Sequence, residues 1–394
     1  MRAVTWQGRG RVEVSEVPDP RVEQPNDIVV KVTSTAICGS DLHLIGPLTP
    51  YLSRGDILGH EFMGTVEEVG PEVTTIHVGD RVVVPFTISC GHCFMCRHGL
   101  QSQCETTQVR QYGTGAALFG YTKLYGRVPG GQAEYVRVPQ AQYGPVVLPQ
   151  SGRDERWLYL SDILPTAWQG VAYTDLEPGD TVAVIGLGPV GQLATRCAAQ
   201  QGAGRVIGVD LEPARLAMAR AHGAEVVDAT EVADVPAAIR DLTGGRGADR
   251  VVDAVGMEAH GSPVAKVATD VVTRLPRGAA AALSERVGVD RMAALKTAFA
   301  SVRRGGTVSL SGVYGGSADP VNLMRLFDRQ VTVRMGQANV RRWSDHLLEL
   351  VSRDDDVFDV ERLASHHLPL EDAPDAYRMF RAKTHDCIKV VLHP

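Results

Sequence analysis

TVAVIGLGPVGQLATRCAAQ, residues 181–200, reads as a short apolar strand, a glycine-rich turn and the opening of a helix. The turn carries Gly186, Gly188 and Gly191 in the spacing G-x-G-x-x-G, with Val190 inside it. Glycines at these positions allow a tight turn and let backbone approach a pyrophosphate seated on the helix N-terminus. The next apolar strand, RVIGVD, ends in Asp210, an acceptor for ribose hydroxyls that would repel a 2′-phosphate, so NAD is expected rather than NADP. Beyond it, apolar strands (AEVVDA, ADRVVDAVG, TVSLSGVYG, VTVRMGQ) alternate with helix-period segments, which is the pattern of a doubly wound parallel sheet.

Upstream, residues 1 to about 155 have a different texture. Short alternating runs (DIVVKVTST, GTVEEVG, DRVVVPF, AEYVRVP) sit between turn residues and predict a β-rich, barrel-like domain. The tail from about 340 holds an amphipathic helix, a second helix at 371–383 and a last strand, CIKVVL, that could pack on either domain. Residues 257–304 exceed a minimal sheet unit and read as a helical insertion. The net charge of −6, with signs well mixed, argues against nucleic acid or an anionic membrane as partner. No apolar run is long enough for a membrane span or a secretory leader, so a cytoplasmic location is expected.

Cys90, Cys93, Cys96 and Cys104 follow C-x2-C-x2-C-x7-C. Such spacing lets a tight turn present successive thiolates to one ion, and four protein ligands make a closed, structural zinc site. An iron–sulfur cluster obeys the same spacing logic, and only context speaks against it. A second, dispersed pair is Cys38 and His60, both preferred zinc ligands. A catalytic zinc needs a third protein ligand and an open position, and residue chemistry alone does not nominate that third group. Cys197 and Cys387 fit core positions, and His366 and His367 fall in an expected strand without an assigned role.

Taken in this order, the motifs resemble the zinc-containing medium-chain alcohol dehydrogenase family along essentially the whole chain. Gly59-His60-Glu61 through Gly64, Gly70 and Val73 is similar to the family segment G-H-E-x2-G-x5-G-x2-V. The fold implied is α/β, a Rossmann-type doubly wound parallel sheet with a β-rich, GroES-like catalytic domain. The expected division is a GroES-like domain over 1–160, completed by about 338–394, and an NAD-binding domain over 161–337 with the insertion at 257–304. Where family alcohol dehydrogenases usually carry a third ligating cysteine, this chain has Asp162. That substitution resembles the glutathione-independent formaldehyde dehydrogenase branch, as do GGQAEYVRVP, VDAVGMEAHG and the insertion.

The resemblance implies two zinc ions per chain, one on Cys38, His60 and Asp162 and one on the four cysteines, with NAD as coenzyme. Ser40 would take the substrate proton, His43 would pass it to solvent, and Glu61 would lie beside the metal. Asp41 would orient His60. Thr166, Val190 and Arg215 are implied cofactor contacts, as are Val255, His260, Ser262, Val313 and Gln337. Gly39 and Ser40 fall on the cofactor-facing turn, but Gly39 replaces the arginine that many relatives present to the pyrophosphate. The expected reaction is hydride transfer between NAD(H) and a small alcohol or aldehyde hydrate. A general alcohol, polyol or amino-alcohol dehydrogenase, or an aldehyde dismutase with retained NAD, are the alternatives, and a homodimer or homotetramer is expected. Phe86, Leu118, Phe119 and Tyr121 are candidates for the pocket wall, although spacing does not show which point inward.

Overall fold

The computed structural model describes residues 1–256, 293–314 and 321–394. Two compact units are present, Met1–Pro165 with Ala338–Pro394, and Thr166–Gln337. In the first, β1 (Arg2–Gly8) and β2 (Arg11–Glu16) pair as an antiparallel ribbon. Antiparallel pairing continues through β3 (Ile28–Ile37), β4 (Glu61–Val69) and β5 (Arg81–Val84). β6 (Tyr135–Val138) joins β3, and the short β7 (Val146–Val147) joins β5. The alternating valines and isoleucines noted in the sequence are the reason for these strands. Ile28, Val30, Val32, Phe62, Val66, Val82, Val84, Val136 and Val138 turn to one shared interior. Each such side chain contributes roughly 1.5–3 kcal/mol by leaving water.

The second unit is a six-stranded parallel sheet: β8 (Thr181–Ile185), β9 (Arg205–Asp210), β10 (Glu225–Asp228), β11 (Ala248–Asp253), β12 (Val302–Leu310) and β13 (Thr332–Met335). Their order across the sheet is β10-β9-β8-β11-β12-β13. Counted within the unit this is 3-2-1-4-5-6, the Rossmann order, with its switch point between the first and fourth strands. Helix Pro189–Gln200 begins with proline, whose missing N–H costs nothing there, and buries Leu193, Ala194, Cys197 and Ala198 along one stripe. The sequence expectation of an insertion reaching 304 needs correction at its C-terminal end. Ala293–Ser301 is a helix that buries Ala294, Leu295 and Ala298 in the sheet's own core, and β12 starts at Val302. Apolar positions spaced to cover one helix face were there read as insertion, whereas they belong to the layer covering the sheet. The rest of the expected insertion, 257–292, lies outside the described residues.

The tail returns to the first unit. After helix Val340–Val351 come β14 (His366–Pro369), helix Ala373–Ala382 and β15 (Val390–His393). β15 pairs antiparallel with β3 and parallel with β14, giving the order β14-β15-β3-β4-β5-β7. Leu370, Tyr377, Phe380, Cys387, Val390 and Leu392 of the tail share a core with Val4, Trp6, Ile37 and Leu44.

Helix Asp154–Leu158 is tied to the sheet through its first residue. Asp154 Oδ2 accepts from Thr33 Oγ1 at 2.6 Å and Ser34 Oγ at 2.8 Å, and the same carboxylate pairs with Arg81. Burial opposes its ionisation, yet Thr33, Arg81 and Ser34 together hold the carboxyl below its ordinary range. A carboxyl depressed in the folded state stabilises fully above its unfolded value, near pH 4, and loses that contribution as pH falls through the folded value. Asp154→Asn should therefore lose about 1–3 kcal/mol in urea unfolding at neutral pH. The gap between wild type and variant should close on acidification below about pH 4.

Candidate active site

The first metal-competent cluster is assembled from three segments of the first unit. β3 runs out at Ile37, and Cys38 caps helix Gly39–Ile45, its amide donating to Asp41 Oδ2 at 3.0 Å. That local turn fixes both Cys38 and Asp41. Gly59 precedes His60 with φ +93°, and a Cβ there would meet Gln132 at 2.3 Å, so the backbone can reach this position only with glycine. β4 then opens with Glu61. Asp162 follows the 3-10 turn Tyr159–Ser161, which Ser161 Oγ closes by donating to the Leu158 carbonyl at 2.6 Å.

One ligand atom from each of Cys38, His60, Glu61 and Asp162 lies within 4.8 Å of the others. His60 Nε2 is 3.4 Å from Asp162 Oδ2, and Cys38 Sγ is 3.7 Å from the same oxygen. Tetrahedral zinc with bonds of about 2.0 Å to N or O and about 2.3 Å to S has N–O edges of about 3.3 Å and S–O edges of about 3.6 Å. The donors are thus spaced as ligands around one ion. Charge points the same way. Burial pushes the Cys38 thiol up to about 11, with Glu61 and Asp162 adding to the effect against the His60 hydrogen bond. Crowded acids of this kind ionise together only around a cation.

His60 is aimed from behind. Its Nδ1 is 3.2 Å from Asp41 Oδ1, and the two residues are 1% and 0% exposed. Asp41 Oδ2 also accepts from Gln132 Nε2 at 3.2 Å, and Gln132 Oε1 accepts from Tyr377 Oη at 2.8 Å. The tail helix therefore braces the histidine through two intermediates. Ser40 Oγ lies 3.1 Å from His60 Nε2. His43, expected at the solvent end of a proton path, is only 8% exposed. Of the four pocket candidates, Phe86 and Tyr121 stand edge-on to His60, at 6.1 and 5.3 Å between ring centroids. Leu118 packs beside Phe86, while Phe119 turns into the barrel core against Phe62.

Lys389 was not singled out by its sequence context. Its Nζ donates to Glu61 Oε1 at 2.6 Å and to the Ile37 carbonyl at 3.0 Å, and both side chains are wholly buried. Burial alone would lower its pKa, but Glu61, together with Cys38 and Asp162, more than reverses this. The available signal was a lone lysine between Ile388 and Val390 in an otherwise apolar strand.

The second cluster gathers Cys90, Cys93, Cys96 and Cys104, again with ligand atoms within 4.8 Å. Cys93 Sγ and Cys104 Sγ are 3.9 Å apart, close to the tetrahedral edge of about 3.8 Å for zinc thiolates. The amides of Cys90 and Cys93 point at cluster sulfurs at 3.4 Å, and Thr106 Oγ1 donates to Cys90 Sγ at 3.1 Å. Against burial, the backbone amides of Cys96 and Glu105 bring the Cys93 thiol down to about 6. Among the described residues, Ala116 is the other member of the apolar cluster these cysteines form, so a metal bound there would add order to the lobe.

In the second unit, the Gly186–Gly191 turn joins β8 to helix Pro189–Gln200. A Cβ on Gly191 would sit 1.9 Å from the Gly186 carbonyl oxygen, which explains the third glycine. Asp210 ends β9 and accepts from the Leu187 amide at 2.6 Å through Oδ2, and from the Leu211 and Glu212 amides through Oδ1. Arg215 Nη1 is 3.7 Å from Asp210 Oδ2 and near Gly188. Val255 follows β11 beside Gly186, and Val313 follows β12 against Gly256, so both lie past the C-terminal ends of neighbouring strands. Val190 stands in the first turn of the helix. Thr166 is on helix Ile163–Ala172, whose Gln169 donates to the Gln337 carbonyl at 3.1 Å. Gly39 and Ser40 lie in the first unit, on the helix after Cys38. His260 and Ser262 fall outside the described residues.

Breaking the buried pair provides a direct check of this centre. Lys389→Met should destabilise by about 3–5 kcal/mol by stranding the Glu61 carboxylate, and adding Glu61→Gln should recover most of the loss in a double-mutant cycle of urea unfolding.

Comparison with known proteins bears on both units. Residues 24–149 match the alcohol dehydrogenase GroES-like domain, and residues 189–270 match the zinc-binding dehydrogenase domain. The chain is 42% identical to an uncharacterised zinc-type alcohol dehydrogenase-like protein of Bacillus subtilis over 100% of both chains. It is 33% identical to a formaldehyde dismutase of Pseudomonas putida over 96% of this chain and 94% of that one. Among solved structures, an alcohol dehydrogenase from Thermus sp. ATN1 superposes with a TM-score of 0.82 at 36% identity, covering 100% of this chain and 99% of the other.

Proposed function

We infer that this chain, which belongs to the zinc-type alcohol dehydrogenase family, transfers a hydride between NAD(H) and a small alcohol or aldehyde hydrate. The observation that carries the reading is the convergence of Cys38, His60 and Asp162, with Asp162 Oδ2 3.4 Å from His60 Nε2 and 3.7 Å from Cys38 Sγ, separations that suit ligands of one zinc. Cys38, His60 and Asp162 would hold a zinc whose Lewis acidity would polarise the substrate oxygen, and a bound nicotinamide would supply the hydride chemistry.

The chain's own residues do the rest. Ser40, whose Oγ lies 3.1 Å from His60 Nε2 and so beside the metal position, would take the substrate proton, and His43 on the same helix would receive it. Asp41 holds His60 in the tautomer that leaves Nε2 for the metal. Glu61, neutralised by Lys389, stays beside the ligands as a spare carboxylate. Phe86 and Tyr121 narrow the substrate side with aromatic surface, which suits small molecules. Cys90, Cys93, Cys96 and Cys104 would hold a second, structural zinc, all four coordination positions being filled by thiolates.

Asp162 supports an aldehyde-directed reaction. Carboxylate in place of thiolate keeps the ligand charge but donates less electron density, leaving a more electrophilic metal. The similarity to a formaldehyde dismutase favours formaldehyde as a substrate and makes dismutation with retained NAD the second reading. An exposed edge strand, β13, with Leu323, Met324, Phe327 and Met335 uncovered beside it, supports a homo-oligomer. Clustered cysteines suited to metal rather than disulfides are in keeping with a cytoplasmic enzyme. Among the described residues no helix is long and apolar enough to cross a membrane.

The decisive experiment combines metal analysis with turnover of ethanol, formaldehyde and larger aldehydes, with and without added NAD. Two zinc ions per chain and NAD-linked turnover are expected, and Asp162→Ala should lose one zinc and more than about 100-fold in kcat/KM. Formaldehyde converted to methanol and formate without added NAD would select dismutation, and no turnover of any alcohol or aldehyde would end the reading. Asp162→Cys with unchanged zinc and unchanged alcohol-to-aldehyde preference would sink the proposed role of the carboxylate.

Coenzyme choice rests on the charge of Asp210. Asp210→Asn keeps an acceptor for the Leu187 amide while removing the negative charge. It should raise the NADP-to-NAD ratio of kcat/KM by about tenfold, the equivalent of one screened charge contact.

A further inference from the structure

We propose that Glu155, His367 and His393 form a third metal site, open to solvent, that takes an exchangeable divalent transition-metal ion such as Zn²⁺. The three residues lie in the first unit, apart from the ligand clusters described above. Glu155 belongs to helix Asp154–Leu158, His367 to β14 and His393 to the end of β15. One ligand atom from each lies within 4.8 Å of the others. His367 Nδ1 is 3.3 Å from Glu155 Oε1, which matches the edge of about 3.3 Å between two ligands on tetrahedral zinc. The imidazoles of His367 and His393 stack, with planes 10° apart and centroids 5.8 Å apart.

Hydrogen bonding sets the state of His393. Ser34 Oγ is 2.8 Å from Asp154 Oδ2 and 3.2 Å from His393 Nδ1. A carboxylate only accepts, so the single Ser34 hydroxyl proton goes to Asp154. His393 Nδ1 must then be the donor to Ser34, which leaves the Nε2 lone pair for a metal. A ligating histidine that donates its other ring N–H to an oxygen, backed by a carboxylate, is the usual arrangement behind a metal ligand. Here the chain Asp154, Ser34, His393 supplies it, and Asp154 is itself fastened by Thr33 and Arg81. Glu155 is 5% exposed and has Arg153 Nε 3.3 Å from its other oxygen, so the carboxylate is also held in place.

Two imidazoles and one carboxylate suit zinc or copper, and three protein ligands leave a coordination position to water. Partial exposure of His367 gives the ion a route in. Occupancy would tie the last strand pair to the helix that precedes Asp162, crosslinking the tail to the segment leading into the catalytic ligands.

The test is a Zn²⁺ titration of the protein as purified, followed by isothermal calorimetry and by native mass spectrometry. Wild type should take up one additional zinc per chain. His367→Ala and His393→Gln should each weaken that step by at least about 100-fold, and Ser34→Ala by about tenfold, through loss of the histidine's orientation. Retention of the originally bound metal and of turnover in each variant shows that the loss is local. Absence of an additional equivalent in wild type would overturn the proposal, and so would an equivalent that binds with unchanged affinity in both histidine variants.

Discussion

The first unit encloses a cluster of acids that no apolar interior tolerates unaided. Cys38, Glu61 and Asp162 converge around His60, with Asp41 behind it, and Lys389 neutralises Glu61. Removing such groups from water costs several kcal/mol each, and the cost is met only when every partner is in register. The partners arrive on four separate elements: the turn after β3, the start of β4, the 3-10 turn before Asp162, and the approach to β15. The tail is therefore part of the centre. Lys389 balances Glu61, and Tyr377 reaches His60 through Gln132 and Asp41.

In the second unit one carboxylate has a comparable structural duty. Asp210 accepts from the Leu187 amide and from two amides after β9, so it fastens the glycine turn. Gln192 adds a second fastening by donating to the carbonyls of Leu187 and Arg215. The glycine turn is thus shaped by the protein's own side chains, with Arg215 beside it.

Much of this was legible in the chain, unevenly and for identifiable reasons. Strand and helix periods exposed the parallel sheet, because side-chain direction repeats every two or 3.6 residues. The four cysteines were legible from spacing, since all the ligands lie within one short loop. Asp162 was reached only through resemblance, being far in sequence from Cys38 and His60. Lys389, Gln132 and Tyr377 were missed, because their importance lies in partners more than 90 residues away. Phe86 and Tyr121 could not be told from Phe119 until the strands and loops carrying them took their positions. The boundary of the long segment before β12 was misplaced, since the apolar face of helix Ala293–Ser301 acquires meaning only against the sheet.

By itself, then, the sequence determined the two textures, the glycine turn with its acidic partner, the thiolate lobe and, from residue chemistry, Cys38 and His60 as metal-competent side chains. These are properties of short segments, carried by local period, turn chemistry and spacing. Only the tertiary structure decided which unit receives the tail, which aromatic rings face His60, and which cation balances Glu61. The physical reason is that a buried charge or ring is defined by what surrounds it. Those surroundings are assembled by β3 pairing with β4, β6 and β15, across almost the full length of the chain.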